Sequence, residues 1–438
     1  MRDELRKLLA LAWPTSLGML AFMGMSVVDT VCVGQLGEDA QAGVAIATGW
    51  GLSGAVLAFG SVRAIEPIVA QSHGEGDKRS AGVALARMLA LCLPLSILAA
   101  GWYLLTPYGL RALGQPESVI PDATTYAWWM AWSWPIAMVI QTVRTFLQAL
   151  GIVRPAMVVT VMGTLLKAPV NLAFIEGWGG LPAMGVAGAA VGTLVVDAAI
   201  LAVLLWLVRG TLREYWPEAP DLGAAPVLRL LGLGLPLGVQ MGTEFWAFAA
   251  MAMMMGWIGE RAMAAHAIAI NLASVSFMIP LGVATAASAR VGHRFGAGED
   301  WGTSARAAIV LGACTQVFSG AVFWLLGSWL VRPYTPDPAV QALAASLLPI
   351  AAAFQLFDGM QVIGFGVLRG AGDVRVPTIA NLVGYYVFGL PVGYFLGIRA
   401  GYGPTGIWWG ISVGLAVVSL TLLARIRVVY RRGAVRVR

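Results

Sequence analysis

Charge is what this sequence has least of. Only 11% of its 438 residues are Asp, Glu, Lys or Arg, against 59% hydrophobic, which excludes an ordinary soluble domain of this length. Cysteine and histidine are nearly as scarce, three of each. Cys32, Cys92 and Cys314 each lie in an apolar stretch, which predicts buried, reduced thiols and no disulfide framework. His73, His266 and His293 are scattered, with no HExxH and no other ligand spacing, so no metal centre is expected. No nucleophile, base and orienting group fall into a catalytic arrangement, so neither an enzyme nor a cofactor is expected.

What is abundant is long apolar runs. A spanning helix needs roughly 20 mostly apolar residues, and such runs are read at 6–34, 42–72, 80–105, 118–150, 155–177 and 183–208, then at 226–257, 262–290, 303–330, 338–368, 376–398 and 403–426. The expected architecture is all-α: twelve transmembrane helices in two parallel six-helix lobes, 1–208 and 226–438, joined by a charged connector at 209–225. The 54 glycines suit this reading, because small residues let helix backbones approach in lipid, as at Gly188 and Gly192 or Gly234 and Gly238.

With both termini on one side, that side holds most of the 28 Lys and Arg residues, including Arg425, Arg427, Arg431, Arg432, Arg436 and Arg438 of the tail. Arg111, Arg261, Arg332 and Arg399 fall on the other side. The positive-inside rule then makes both termini cytoplasmic and the protein a multi-pass resident of the inner membrane. The basic excess thus reports topology, with lipid as the surrounding partner, and nucleic acid is not expected. A monomer is the expected state.

The halves repeat each other at a fixed shift of 222 residues. Pro14 falls on Pro236, Gly37-Glu38 on Gly259-Glu260, Ala45-Ile46-Ala47 on Ala267-Ile268-Ala269, Val69 on Val291 and Gly76 on Gly298. After a one-residue insertion, Arg154 and Pro155 correspond to Arg375 and Pro377. An even number of crossings makes the copies parallel, and two bundles about a cleft suit alternating access in a secondary transporter. A symmetric channel fits less well, because the two halves carry different charges.

Charged groups inside spans are costly, by a few kcal/mol or more at mid-bilayer, so each calls for a partner or a task. They are Asp29, Arg63, Glu66, Lys167, Asp197, Glu244 and Asp358. Arg63 and Glu66, three apart, can pair. Glu244 and Asp358 have no cation within helical reach. Two acids sharing a low-dielectric pocket favour uptake of a proton or capture of a cation, which is the chemistry of ion coupling. Lys167 and Asn171 share a helical face, as do Thr193 and Asp197, and with Asp29 they suggest a buried first-lobe polar network. Around the two second-lobe acids, Met241, Phe245, Trp246, Phe354 and Phe357 form a candidate pocket for organic cations.

These stretches resemble the multidrug and toxic compound extrusion (MATE) transporters, in their NorM-like branch. The resemblance is carried by Val28-Asp29-Thr30-Val31 with Gly34-Gln35-Leu36-Gly37, Val69-Ala70-Gln71, and Gly185-Val186-Ala187-Gly188-Ala189-Ala190. In the second half it is carried by Gly234-Leu235-Pro236-Leu237-Gly238 before Glu244, Ala264-Ala265-His266 before Asn271, Arg290-Val291-Gly292-His293, and Phe354-Gln355-Leu356-Phe357-Asp358-Gly359. It implies export of organic, often cationic, compounds in exchange for Na⁺ or H⁺. It also implies cation coupling at Glu244, Asp358 and Asp29, with Asn171 and Thr193 as first-lobe companions. Lys167 departs from the family pattern, which carries a neutral residue there, and its ammonium stands where a first-lobe cation would. A flippase for lipid-linked precursors, of the same superfamily, is the alternative; it would call for a strongly basic cavity.

Overall fold

The computed structural model describes residues 1–432; Arg436 and Arg438 of the basic tail lie outside them. Among the described residues twelve long helices follow in chain order: α1 Arg2–Gly34, α2 Glu38–Glu75, α3 Lys78–Leu104, α4 Ile120–Ala149, α5 Arg154–Glu176 and α6 Val186–Tyr215, then α7 Ala224–Ile258, α8 Glu260–Gly296, α9 Gly302–Tyr334, α10 Pro338–Gly370, α11 Arg375–Arg399 and α12 Gly403–Arg432. A short helix, Thr106–Ala112, joins α3 to α4. Eleven of the long helices are apolar enough to span by composition. The other, α4, has 30 residues, about 45 Å of helix, but Trp128, Trp129, Trp132 and Trp134 lower its hydropathy although their rings suit a membrane. The chain is a multi-pass membrane protein.

One boundary differs from the sequence reading. Helix α6 runs on to Tyr215, so the chain is irregular only over 216–223. Tyr215 is buried edge-on against Phe146 at 5.7 Å, and its carbonyl lies against Gly82, where any side chain would collide with it. Burial of this ring rewards the extra turns although they carry Arg209 and Arg213. Cys32 and Cys92 are buried as expected, but Cys314 is exposed. It sits on α9, only 17% of whose apolar stretch is buried, so an apolar setting there means an outward-facing surface rather than a core.

Backbone contacts divide the chain into two units. Unit N comprises Leu17–Val69 and Asp77–Gly238; unit C comprises Met1–Ser16, Ala70–Gly76 and Val239–Arg438. In unit N, α4 packs on α2, α3 and α6, and α5 pairs with α6; in unit C, α10 packs on α8, α9 and α12, and α11 pairs with α12. Each unit is thus built round its fourth helix. The repeat extends to backbone torsions. Gly37 and Gly259 cap α2 and α8 with φ of 116° and 141°, and Gly76 and Gly298 follow those helices with φ of 78° and 72°. These values fall where a Cβ is disfavoured, so glycine recurs at both copies. An aspartate stands before each of the next helices, as the N-cap of α3 and one residue ahead of the N-cap of α9. Asp77 accepts from the Ser80 hydroxyl at 2.6 Å and its N–H at 3.0 Å, and Asp300 accepts from Thr303 at 2.9 Å. The Ser80 and Thr303 hydroxyls hold these carboxyls below the ordinary aspartate range.

Helices meet closely where side chains are smallest. Along α10, Gly366 faces the Ala284 carbonyl and Gly370 that of Ser288, while Gly188 faces Phe174 and Gly234 faces Ser61. Helix α11 contains two widened π-turns, Gly384–Gly389 and Phe395–Arg399, where Gly384, Gly389, Gly393 and Gly397 approach Gly406, Gly410 and Gly414 of α12. In unit C the N-terminus is held by charge. Glu4, 6% exposed, accepts from Arg290 Nε at 2.9 Å, Arg290 Nη2 at 3.0 Å and the Ser304 hydroxyl at 2.7 Å.

Three substitutions test these contacts. Gly366→Ala should lower the thermal midpoint in detergent, because overpacking costs about 1–3 kcal/mol. Gly232→Ala, with open space around it, should raise the midpoint through the ~1 kcal/mol helix preference for alanine. Glu4→Ala should cost about 2–3 kcal/mol, the scale of hydrogen bonds to a charged group, measured by the same melting assay.

Candidate functional site

Each unit holds its own constellation of polar groups among apolar helices. In unit N, Asp29 comes from α1, Lys167 and Asn171 from successive turns of α5, and Thr193 and Asp197 from successive turns of α6. Lys167 donates to Asp29 Oδ2 at 2.7 Å and Asn171 Nδ2 donates to Asp29 Oδ1 at 2.7 Å, so both carboxylate oxygens are engaged. Asn171 is fully buried and Lys167 is 4% exposed. Thr193 stands beside this carboxylate and donates its hydroxyl to the Ala189 carbonyl at 2.9 Å. Gly192 lies against Asn171, so a larger residue there would push the amide off Asp29.

Asp197 is within electrostatic reach of both Lys167 and Asp29, but the ion pair forms with Asp29. Asp29, Lys167, Thr193 and Asp197 all line one cavity of about 290 Å³. Its walls include Phe22, Tyr103, Tyr126, Trp134 and, at α4, Arg144. The sequence reading missed Arg144. It lies five residues before the end of α4, where a charge passes as a topology signal; its place on the Tyr126, Met130, Trp134, Ala137, Gln141 face was the available clue.

In unit C, Glu244 stands on α7 and Asp358 on α10. Asp358 is 6% exposed, and its electrostatic neighbour is Glu244. Both acids also act on the phenol of Tyr385 from α11. Asp358 Oδ1 is buried with no hydrogen-bond partner among the described residues, and so is Gln361 Oε1 one turn further along α10. Gln361 uses its amide nitrogen instead, donating to Tyr385 Oη at 3.2 Å and Asn381 Oδ1 at 3.4 Å, while Asn381 donates to the Gln240 carbonyl at 3.1 Å. Tyr386 reaches the Thr243 carbonyl at 3.3 Å. The π-turn that opens at Gly384 thus presents two consecutive tyrosines to α10 and α7. Gln361, Asn381 and Tyr385 were not singled out from the sequence, although polar residues in apolar spans were the visible signal.

The aromatic candidates are spread over different environments. Phe354 is 2% exposed and sits edge-on to Phe248 at 6.1 Å and Trp408 at 5.4 Å; Phe248 also meets Tyr385 at 6.1 Å. Phe357 packs at the margin of this cluster. Met241 and Phe245 are partly buried, and Trp246 is 38% exposed. About one turn before Asp358, and next to Phe354 in the chain, Gln355 accepts from Ser276 and Ser319 at 2.6 Å each.

The MatE family profile matches residues 14–173 and again 236–395, starting points 222 residues apart. Over 443 residues the chain is 34% identical to the multidrug resistance protein PmpM of Pseudomonas aeruginosa, covering 97% of this chain and 91% of that one. It is also 34% identical over 431 residues to the multidrug resistance protein NorM of Burkholderia vietnamiensis, covering 95% and 92%. The fold matches the crystal structure of the eukaryotic MATE transporter AtDTX14 with a TM-score of 0.86 at 22% identity, over 98% of this chain and 99% of that one. An outward-facing multidrug resistance MATE transporter of the MOP superfamily matches with a TM-score of 0.89 at 20% identity, over 98% and 96%. Twelve helices in two repeated halves, two profile matches at the repeat offset and near-full-length relatives agree: the chain belongs to the multidrug and toxic compound extrusion (MATE) family of transporters, and is not an enzyme.

Proposed function

We propose that this protein is a secondary antiporter of the inner membrane that exports organic compounds in exchange for Na⁺ or H⁺, with Glu244 and Asp358 as the coupling acids. The observation that carries the reading is the orphaned pair of acceptors on α10. Asp358 Oδ1 and Gln361 Oε1 are both buried without a donor, beside the charge of Glu244. An acceptor-only oxygen in a low-dielectric site is costly until something positive reaches it. A proton on Asp358 or a bound Na⁺ meets that demand. The relatives' multidrug resistance names support organic compounds as cargo.

Antiport follows from competition for one negative site. Loading the acids with the ion neutralises them and weakens the hold on a cationic substrate, which leaves outward; the ion-loaded form then returns and releases the ion inward. Each ligand needs only a different affinity for the two access states. Met241, Phe245, Trp246, Phe354 and Phe357 are the proposed apolar contacts for such a cargo. In unit N, Lys167 and Asn171 take both oxygens of Asp29, so the first-lobe network is proposed as structural and coupling is assigned to unit C.

The basic excess of the loops supports cytoplasmic termini, and the proposed working form is a monomer with 1–208 and 226–438 as its two lobes. The unit N cavity carries two acids and two bases, unlike the strongly basic cavity that a flippase for anionic lipid-linked precursors would need.

The test is efflux of a fluorescent organic cation from proteoliposomes under an imposed Na⁺ gradient and, separately, an imposed pH gradient. One gradient should drive efflux, and Glu244→Gln and Asp358→Asn should each abolish the response; gradient-driven efflux that survives Glu244→Gln removes the assignment. Asp29→Asn should behave differently. It strands the Lys167 ammonium, which should destabilise the fold by about 3–5 kcal/mol in a melting assay, while the folded fraction keeps its response to the driving gradient.

A further inference from the structure

Unit N has a second hollow, a groove of about 160 Å³ between α5 and α6. Its long walls are every fourth residue from Val158 to Val170 on α5 and from Val195 to Leu207 on α6, the spacing that keeps side chains on one helical face. All of these positions except Val170 are exposed, and the lining is hydrocarbon throughout. Small residues make the hollow. Ala199 offers only a methyl group at mid-groove, and Gly163 has no side chain, so Ile200 settles against its backbone as the floor. From Val158 to Val170 the helix rises about 18 Å, which compares with about 15 Å for half of a hydrocarbon core. The groove therefore has the length of one lipid leaflet.

The mouth of this groove is basic. Arg154 precedes Val158 by one turn on the same face of α5. On α6, Gly210 continues the stripe of Val203 and Leu207 and has open space around it, with Arg209 and Arg213 close by in the chain. All three guanidiniums are exposed, and none is ion-paired among the described residues. Arg209 rests over the ring of Trp206, with Cζ 5.5 Å from the centroid, and Trp206 is itself exposed, as suits a ring at the membrane interface. Glu214, the one acid in the last two turns of α6, is taken by Lys78 at 2.6 Å. An apolar trough one leaflet long thus opens onto three cations that lack a counter-charge.

We propose that the α5–α6 groove is a binding site for one anionic phospholipid, with an acyl chain along the trough and the phosphate at Arg154, Arg209 and Arg213. A guanidinium fork matches the two free oxygens of a phosphodiester. A headgroup without net negative charge leaves the three like charges uncompensated, so the site selects for headgroup as well as for chain. Under the cytoplasmic orientation proposed above, the lipid belongs to the inner leaflet. Binding itself depends neither on that orientation nor on antiport.

The experiment labels the purified full-length protein with a phosphatidylglycerol that carries a diazirine in one acyl chain, and maps the attached residues by peptide mass spectrometry. Adducts should concentrate on Met162, Leu166 and Val203, well above those on Phe318 and Leu325 of α9, which are exposed with no groove beside them. Unlabelled phosphatidylglycerol should compete for the groove about tenfold better than phosphatidylcholine or diacylglycerol with the same chains, the scale of two basic residues at a membrane surface. Ala199→Phe should fill the trough and remove the groove adducts while those on α9 remain. Arg154→Gln combined with Arg213→Gln should bring competition by phosphatidylglycerol down to that by phosphatidylcholine. Equal competition by phosphatidylglycerol and diacylglycerol in the unsubstituted protein overturns the proposal without any variant. So does labelling of α9 as dense as that of the groove. Groove labelling that survives in Ala199→Phe, with an unchanged melting midpoint, overturns it as well.

Discussion

A hydrocarbon layer offers no hydrogen bonds and little dielectric screening, and the arrangement of this protein follows from what that does to a polar group. Backbone polarity is satisfied within twelve helices, which is the general solution for a spanning chain. Side-chain polarity has no such general solution, so each group must find a particular partner. Asp29 finds Lys167 and Asn171; Glu4 finds Arg290 and Ser304. Buried polar atoms without a partner among the described residues remain on several helices, Asp358 Oδ1 and Gln361 Oε1 on α10 and Arg144 Nε on α4 among them. At such places a ligand would remove a cost that the fold itself leaves standing.

The same solvent explains why the helices lie so close. Between apolar side chains and lipid tails there is little to choose, so association relies on close van der Waals contact and small residues. Gly366 and Gly370 against α8, and the glycines of α11 against α12, are cases where a methyl group would meet backbone. Helix α11 departs furthest from regular geometry, with its π-turns against the densest run of glycines. A widened turn rotates the following side chains relative to an α-helix. Tyr385 and Tyr386 are thereby aimed at Gln361 and at the Thr243 carbonyl.

Much of this was legible in the sequence because lipid exposes the rules that write it. Length and hydropathy located the spans, and the repeat could be read letter by letter because turns that need positive φ keep their glycines, as at Gly37 and Gly259 or Gly76 and Gly298. The in-span acids stood out because they are few. Other features were hidden for equally physical reasons. Arg144 sits near the end of its helix, where sequence gives no means of separating a charge that snorkels to water from one turned inward. Cys314 looked buried because lipid-facing and core-facing residues are both apolar. The aromatic candidates were chosen by nearness in sequence to Glu244 and Asp358, but neighbouring positions on a helix point about 100° apart. Phe354 accordingly enters the core beside Trp408, while Trp246 is partly exposed.

Duplication supplied two equal scaffolds, and the difference between their chemistries lies in a few positions. At the repeat offset, Glu244 of unit C corresponds to Phe22 of unit N, and Asp29 of unit N corresponds to Met251 of unit C. The helix that carries Glu244 in one copy therefore carries, at the same place, the ring on which Arg144 rests in the other. Ala137 lines the unit N cavity within a residue of the place that Asp358 takes on α10 once the one-residue insertion is allowed for. Asp358 on α10 and Arg144 on α4 are thus charges without a counterpart at the matching place in the other copy. Both copies hold acids, but in unit N Lys167 and Asn171 engage both oxygens of Asp29, whereas in unit C Asp358 Oδ1 has no hydrogen-bond partner among the described residues. The same scaffold thus closes its polar network in one copy and leaves an acceptor open in the other.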